Sequence, residues 1–284
     1  MRLSVIISTY NSPDWLEKTL WGYAAQTFRN FEIVVADDGS TAATALRIEA
    51  MRRRTGLAIQ HVWHEDRGFR KCAILNRAIQ AASHDYLVIT DGDCIPRADF
   101  LDTHFRLAQP GHFLSGGLFR LPRELSHNIT TDDILEHRIH DTSWLRAHGV
   151  RRSLKMLKLA CSEKWSHWLD RITPTQPSWN GHNASAWKQD ILRVNGFDER
   201  MEYGAEDREM GERLIHIGVV PVQIRHRAVC VHLDHDRGYI RQEACRRNMR
   251  IWKETCRMRA KWTPFGITKQ LDDYTVTRAA RLAA

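Results

Sequence analysis

In the first ninety positions, apolar residues come in short β-rich blocks separated by stretches with helical spacing. Leu3-Ser4-Val5-Ile6-Ile7 is the first block, and Ser12-Pro13 after it supplies an N-cap and a proline suited to the first helical position. Leu16, Leu20 and Ala24 then recur on one face. Residues 31–36 predict a second strand, 41–54 a helix, 59–63 a third strand, 71–82 a helix and 86–90 a fourth strand. Alternation at this spacing predicts parallel βαβ units in a doubly wound α/β sheet. Beyond about Gly116 the regularity fails. Leu154, Leu157, Cys161, Trp165, Trp168 and Leu169 predict a basic amphipathic helix, Met210, Leu214 and Ile217 another, and Ile240, Ala244, Trp252 and Cys256 a last one.

Composition changes this picture little, whereas charge changes it more. The 284 residues are 43% hydrophobic and 27% charged with 8 prolines, which fits a globular chain and excludes disorder and collagen-like arrays. No apolar run approaches the ~20 residues that a spanning helix needs. The net charge of +8 is concentrated: residues 237–261 hold nine basic against two acidic residues, and 144–168 six against one. Only these two segments therefore call for an anionic surface or partner. Met1-Arg2 leads straight into a strand, and six cysteines lack any C-x-x-C pair, so the expectation is reduced thiols in a cytoplasm.

In open α/β sheets ligands bind beyond the carboxyl ends of the strands. Those ends carry Ser8-Thr9-Tyr10-Asn11, Asp37-Asp38-Gly39-Ser40, the polar run 65–70 and Asp91-Gly92-Asp93, which predicts one shared crevice. Asp91 and Asp93 flank a glycine and suit Mg²⁺ or Mn²⁺ bound together with phosphates; a plain turn is the alternative for such residues taken alone. Arg67, Arg70 and Lys71 surround Gly68 at a helix start and suit a pyrophosphate, without a Walker pattern. Glu206, Asp207 and Glu209 either favour a helix dipole or raise one another's pKa toward that of a general base. Cys230-x-His232-x-x-His235 is like a fragment of a zinc site but has no C-x-x-C partner, so one imidazole completing an Asp-bound Mn²⁺ is the better use. Trp179-Asn180-Gly181-His182-Asn183 forms a further polar motif.

Together, residues 5–11, Gln26-Thr27-Phe28 with 31–40, and Asp91-Gly92-Asp93 closely resemble the GT-A nucleotide-sugar glycosyltransferases of family 2. Asn195-Gly196-Phe197-Asp198 and residues 204–209 resemble the catalytic segment shared by bacterial polymerase-type members and animal galactosyltransferases, although Gly204-Ala205 stands where Trp-Gly is often found. The resemblance implies a GT-A fold: a Rossmann-like, mostly parallel sheet flanked by helices, with a helical basic insertion and a C-terminal helical tail. It divides the chain into a nucleotide-sugar-binding half (1–115), an acceptor-binding and catalytic half (116–235) with the insertion at about 126–175, and a basic tail (236–284). It implies that Ser8, Tyr10, Asn11, Asp38, Arg70, Asp91, Gly92, Asp93, Trp179 and Asn183 bind the nucleotide sugar. Within that set the Tyr10 ring lies against the base, Asp38 meets the uracil edge, Asp91 faces the ribose and Arg70 sits near the diphosphate or sugar. Asp93 and His232 would hold Mn²⁺ or Mg²⁺, with His235 competing for the second position. Asp207 matches the catalytic base and Glu206 its acceptor-orienting neighbour.

The implied reaction is inverting transfer from a UDP-sugar to a hydroxyl of a bacterial-type surface glycan or lipid-linked acceptor. A sugar-phosphate nucleotidyltransferase would carry a Gly-rich basic loop where Ser8-Thr9-Tyr10-Asn11 stands, and no nucleic-acid-binding motif accompanies the basic segments, so no nucleic acid partner is expected. The two basic helices lead us to expect a cytoplasmic protein lying peripherally on an anionic inner membrane face. Packing of their apolar sides on the core, or an acidic soluble polysaccharide acceptor, would account for the same pattern.

Overall fold

The strands and helices expected in the first third form within a residue or two of their sequence boundaries. The computed structural model describes residues 1–160, 163–236, 238 and 240–269. Its strands are β1 Leu3–Thr9, β2 Phe31–Asp37, β3 Ile59–Trp63, β4 Tyr86–Asp91, β5 Cys94–Pro96, β6 His112–Ser115, β7 Gly117–Arg120, β8 Ala184–Trp187, β9 Val220–Gln223 and β10 Val229–His232. Its helices are α1 Pro13–Ala24, α2 Ala42–Thr55, α3 Lys71–Ala81, α4 Phe100–Leu107, α5 Arg123–Asn128, α6 Thr131–Leu135, α7 Thr142–Ala147, α8 Leu157–Ala160, α9 Glu163–Ile172, α10 Lys188–Arg193, α11 Glu206–His216 and α12 Gln242–Met258.

The main sheet has the order β3-β2-β1-β4-β8-β6-β9, and only β8 runs against the others. Its central strands β1 and β4 and most of β2 are buried on both faces because alternate residues serve two cores. Ile6, Val34 and Ile89 join α3 (Ile74, Leu75, Ala78) and α11 (Met210, Leu214) on one side. Val5, Ile7, Val35 and Val88 join α1 (Leu16, Leu20) and α4 (Phe100, Leu101) on the other. Such two-sided cover is the doubly wound arrangement, and it brings the C-terminal ends of β1, β2 and β4 to one edge. A second sheet, β5-β10-β7, stands beside them and carries Asp93, Cys94 and His232 at its near end.

Residues of the basic insertion pack on this small sheet through Leu125, Ile129, Ile134, Leu145, Met156 and Leu159. The single amphipathic helix expected from Leu154 is instead a 3₁₀ turn at 154–156 followed by α8 and α9. Cys161, one of its expected apolar positions, lies outside the described residues. In α9 the polar side faces inward: Ser166 and Asp170 are buried, while Trp165 and Trp168 are 62% and 51% exposed. Asp170 accounts for the inversion, because His226 Nδ1 and Arg227 Nε meet its two oxygens at 2.9 and 2.8 Å.

The last basic helix, α12, does not stand apart as a tail. Ala244 and Asn248 are buried, Ile251 packs on the main core, and Thr255 donates to Glu209 of α11 at 2.9 Å. Part of its apolar side is therefore occupied by the protein itself, while Ile240 stays 42% exposed. The expected tail's Arg237, Tyr239 and residues 270–284 lie outside the described residues.

Candidate active site

The strand ends converge on a cleft of about 650 Å³ lined by Ser8, Tyr10, Asn11, Asp38, Asp91, Gly92, Asp93, His232, Glu206 and Asp207 among others. Asn11 adopts φ 44° and links two of its walls: its Oδ1 accepts from Thr41 N–H at 2.9 Å, and its own N–H donates to Ser40 at 2.8 Å. Tyr10 is 47% exposed at the mouth, its hydroxyl donating to Asp66 at 2.8 Å. Asp38 is buried, and its oxygens accept from His64 Nε2 at 2.7 Å and Arg70 N–H at 2.9 Å. Burial raises its pKa, and each oxygen retains a lone pair for a further donor such as a base imide N–H.

Asp91 Oδ1 accepts from Ser8 at 2.7 Å and from Lys71 Nζ at 2.6 Å. Lys71 and Arg120 are the lysine and arginine among the residues lining this cleft. Burial works against the Lys71 charge, but Asp91, Asp207 and Glu206 outweigh that and hold it well above the usual lysine range. Arg70, the expected diphosphate ligand, does not line the cleft; it contributes its backbone N–H to Asp38. The reason is local: Arg70 is the N-cap of α3, and the helix turns the next residue inward.

Asp93 sits one strand end further on. Burial disfavours its ionisation, but a hydrogen bond from His235 and the neighbouring His232 prevail and hold it below the usual carboxylate range. Its Oδ2 lies 2.8 Å from His235 Nε2 and 3.5 Å from His232 Nε2. Among the described residues, Asp93, Cys94 and His232 offer ligand atoms within 4.8 Å of one another. A carboxylate and an imidazole, with His232 Nδ1 buried and unpartnered, fit a hard divalent ion such as Mn²⁺. Burial keeps the Cys94 thiol protonated, and Cys230 directs its sulfur to the carbonyls of Gly117 and His182, so the zinc-like reading of Cys230 fails.

Glu206 and Asp207 open α11 after Ala205, which takes φ 70°. Glu206 is buried and accepts from Gly204 N–H at 2.6 Å. Asp207 Oδ2 accepts from Gly181 N–H at 2.9 Å, whereas Oδ1 is shielded and unpartnered. Only glycine allows this approach, because a Cβ at 181 would lie 2.7 Å from that carboxylate. Burial, then the Glu206 charge, pushes the Asp207 carboxyl up to about 7. Glu209 faces the other way, into a buried ion pair with Arg213.

A second cleft of about 480 Å³ opens on the far side of Asp207, lined by Lys158, Trp179, Asn180, Tyr203, Arg208 and Arg225. Leu118, Gly181, His182, Tyr203, Glu206 and Asp207 line both clefts, so the two meet at the acidic pair. Trp179 belongs to this second cleft and not to the first, its bulk buried against Phe113. Asn183 reaches neither. It is fully buried, with its side chain bonded to His104, Gly117 O and Ala228 O, so it stitches the sheets together. Lys71 was read from the sequence only as one of three cations of a pyrophosphate site, and Gly181 and His182 only as members of a polar motif with no role given; the signal available was Lys71 in the first turn of α3, directly after the polar run.

The raised Asp207 pKa has a stability consequence. Its folded value near 7 exceeds an unfolded value of about 3.9, so the folded state binds the extra proton and stability from this group falls as pH rises through 7. Asp207→Asn should therefore gain stability over the parent between pH 5 and pH 8, by on the order of 2 kcal/mol. Thermal melts at the two pH values measure this; a gap independent of pH would contradict the raised value.

A doubly wound sheet with an Asp-x-Asp segment at its strand ends defines the GT-A class, the architecture of nucleotide-sugar glycosyltransferases. The sequence comparisons agree, since residues 4–134 match the model for glycosyl transferase family 2, so that this part of the chain is a family 2 domain. A validoxylamine A glucosyltransferase of Streptomyces hygroscopicus subsp. jinggangensis (strain 5008) is 28% identical over 250 residues, 84% of this chain and 56% of the relative. A chondroitin synthase of Pasteurella multocida (strain Pm70) is 31% identical over 230 residues, 76% of this chain and 23% of that protein. The chain thus spans about half the length of the glucosyltransferase relative. Among solved structures, the mannosyltransferase PcManGT of Pyrobaculum calidifontis, in complex with GDP-Man and Mn²⁺, superimposes with TM-score 0.57 at 24% identity, covering 84% of this chain and 58% of that one. Staphylococcus aureus TarS 1-349 with UDP-GlcNAc gives 0.59 at 18%, covering 89% and 65%.

Proposed function

We propose that this protein is a metal-dependent inverting glycosyltransferase that moves a sugar from a UDP-sugar to an acceptor hydroxyl. The carrying observation is that two clefts meet at the acidic pair Glu206 and Asp207, of which Asp207 has an unpartnered oxygen that can take a proton. In the first cleft Tyr10 offers its ring to the base, Asp38 accepts from the base edge, and Asp91 with Ser8 adjoins the ribose. Lys71 offsets the diphosphate charge. An acceptor hydroxyl in the second cleft gives its proton to Asp207 Oδ1 as its oxygen attacks the anomeric carbon; the bond to the diphosphate breaks on the opposite face, inverting the configuration. Glu206, fixed by Gly204 N–H, orients the acceptor. Asp93 and His232 would hold a divalent ion, which supplies positive charge against the leaving diphosphate. The TarS complex with UDP-GlcNAc supports a uridine donor and the PcManGT complex supports Mn²⁺, each by likeness of fold. Titration with UDP and with GDP in Mn²⁺ tests the donor: UDP should bind at least tenfold tighter, and a preference for GDP would overturn the uracil assignment.

Among the described residues no helix is long and apolar enough to cross a membrane. We propose that peripheral attachment to a lipid-bearing surface, if the acceptor is lipid-linked, uses α9 and its approach. Trp165, Trp168 and Leu154 are exposed there beside exposed Arg151, Arg152, Lys155 and Arg171. Tryptophan among basic residues suits an anionic interface. The protein should float with vesicles containing anionic phospholipid at low salt, and the Trp165→Ser/Trp168→Ser variant should not. If the folded parent fails to float, the basic face belongs to another role.

A further inference from the structure

The second cleft has a charge pattern that proton abstraction from a neutral hydroxyl does not require. Its acidic groups, Glu206 and Asp207, lie at the border shared with the donor cleft, and the rest of its wall carries Lys158, Arg208 and Arg225. Among the described residues, none of the three forms an ion pair with a carboxylate. Lys158 Nζ donates to Leu118 O at 3.1 Å, Arg225 donates to the Thr175 hydroxyl at 3.1 Å, and Arg208 lies 6.0 Å over the Trp252 ring. Lys158 and Arg225 are half-buried and approach from opposite sides of the chain, one from α8 and the other from the turn after β9. Burial lowers the pKa of Lys158, and the Arg225 charge lowers it further. Two cations that repel each other in a cleft raise the energy of the empty site, and an anion relieves it.

We infer that the acceptor of this enzyme is anionic, a glycan bearing a carboxylate or phosphate that is held by Lys158 and Arg225 while its hydroxyl faces Asp207. This rests on the proposed glycosyl transfer and names the acceptor class for it. The fit is also geometric. A cleft of about 480 Å³ accommodates roughly a disaccharide-sized ligand, within the range of ordinary small-molecule pockets. Its exposed Ser178 and the half-buried Asn180 supply neutral hydrogen-bonding groups for sugar hydroxyls beside the two cations. Arg208, exposed at the rim and next in sequence to Asp207, adds to the positive field that draws an anion in.

The test separates this inference from the donor reading. With UDP and Mn²⁺ saturating the first cleft, saturation-transfer NMR compares methyl glucoside with methyl glucuronide and glucose 1-phosphate, for the parent and for Lys158→Gln/Arg225→Gln. Both anionic sugars, or one of them, should bind the parent at least tenfold tighter than the neutral sugar, and the double variant should lose that preference while UDP affinity stays within twofold. Which anion binds distinguishes a uronate-bearing from a phosphate-bearing acceptor. Equal binding of neutral and anionic sugars by the parent, or a preference that survives in the double variant, overturns the inference even if UDP-sugar turnover is observed. Failure of UDP itself to bind overturns the donor reading instead, and the same sugars titrated without nucleotide then decide the anion preference.

Discussion

Asp207→Asn should lower turnover by ~10²–10⁴-fold while leaving UDP affinity within a few fold, the range expected when a general base is removed. The substitution is nearly isosteric, and the amide oxygen can still accept from Gly181 N–H, which Asp207 Oδ2 now does at 2.9 Å. What it deletes is the proton acceptor at Oδ1, at the border of the two clefts. The same group sets a pH dependence. Because the base works when ionised and its pKa is near 7, the rate should rise with pH through about 7 and level off above it. Glu206→Gln should act differently, raising the acceptor KM more than it lowers the maximal rate, since Glu206 is committed to Gly204 N–H. If Glu206→Gln abolishes turnover and Asp207→Asn does not, the two roles are exchanged.

Removal of the divalent ion should have a comparable effect. Chelation with EDTA, or Asp93→Ala, should cost ~10²-fold or more in transfer rate, because several kcal/mol of charge stabilisation at the diphosphate is lost at about 1.4 kcal/mol per tenfold. UDP binding should weaken with it, and added Mn²⁺ should restore the chelated parent but not the variant. His232→Ala should show a smaller loss than Asp93→Ala, given that His235 Nε2 lies only 2.8 Å from the same Asp93 oxygen and can substitute. UDP affinity that is equal in Mn²⁺ and in EDTA would contradict the assignment of this cluster.

The strand and helix blocks of the first third were legible because each βαβ unit buries both faces of its strand, so Val5 and Ile7 against Ile6 already encode two cores. Clustering of the strand-end motifs was legible for the same reason: parallel strands of one sheet end on one edge. Elsewhere local patterning left the orientation of an element open. In α9 the spacing of Trp165 and Trp168 allowed either an exposed interfacial face or packing on the core, and Asp170, drawn inward by His226 and Arg227 more than fifty residues away, leaves the tryptophans outside. No local pattern announces that pair. In α12 the amphipathic face is genuine, yet what covers part of it is α11, through Thr255 to Glu209, and the segment before α11, through Asn248 to Glu202 O. Asn183 shows a further limit: a buried amide that bridges His104, Gly117 and Ala228 has the same letter as one that binds a ligand. Lys71 was hidden beside Arg67 and Arg70 until the first turn of α3 decided which cation points into the cleft.

The central claim is that the cleft at the ends of β1, β2 and β4 binds a UDP-sugar and that Asp207 drives its cleavage by an acceptor. It is tested most directly by ³¹P NMR of the parent and Asp207→Asn incubated with a panel of UDP-sugars, Mn²⁺ and the sugar acceptors named above. The account predicts UDP accumulating from at least one donor, faster with an acceptor present, and acceptor-stimulated release lost in Asp207→Asn while UDP still binds. No UDP released from any donor by the folded parent, together with no UDP binding in Mn²⁺, would contradict it.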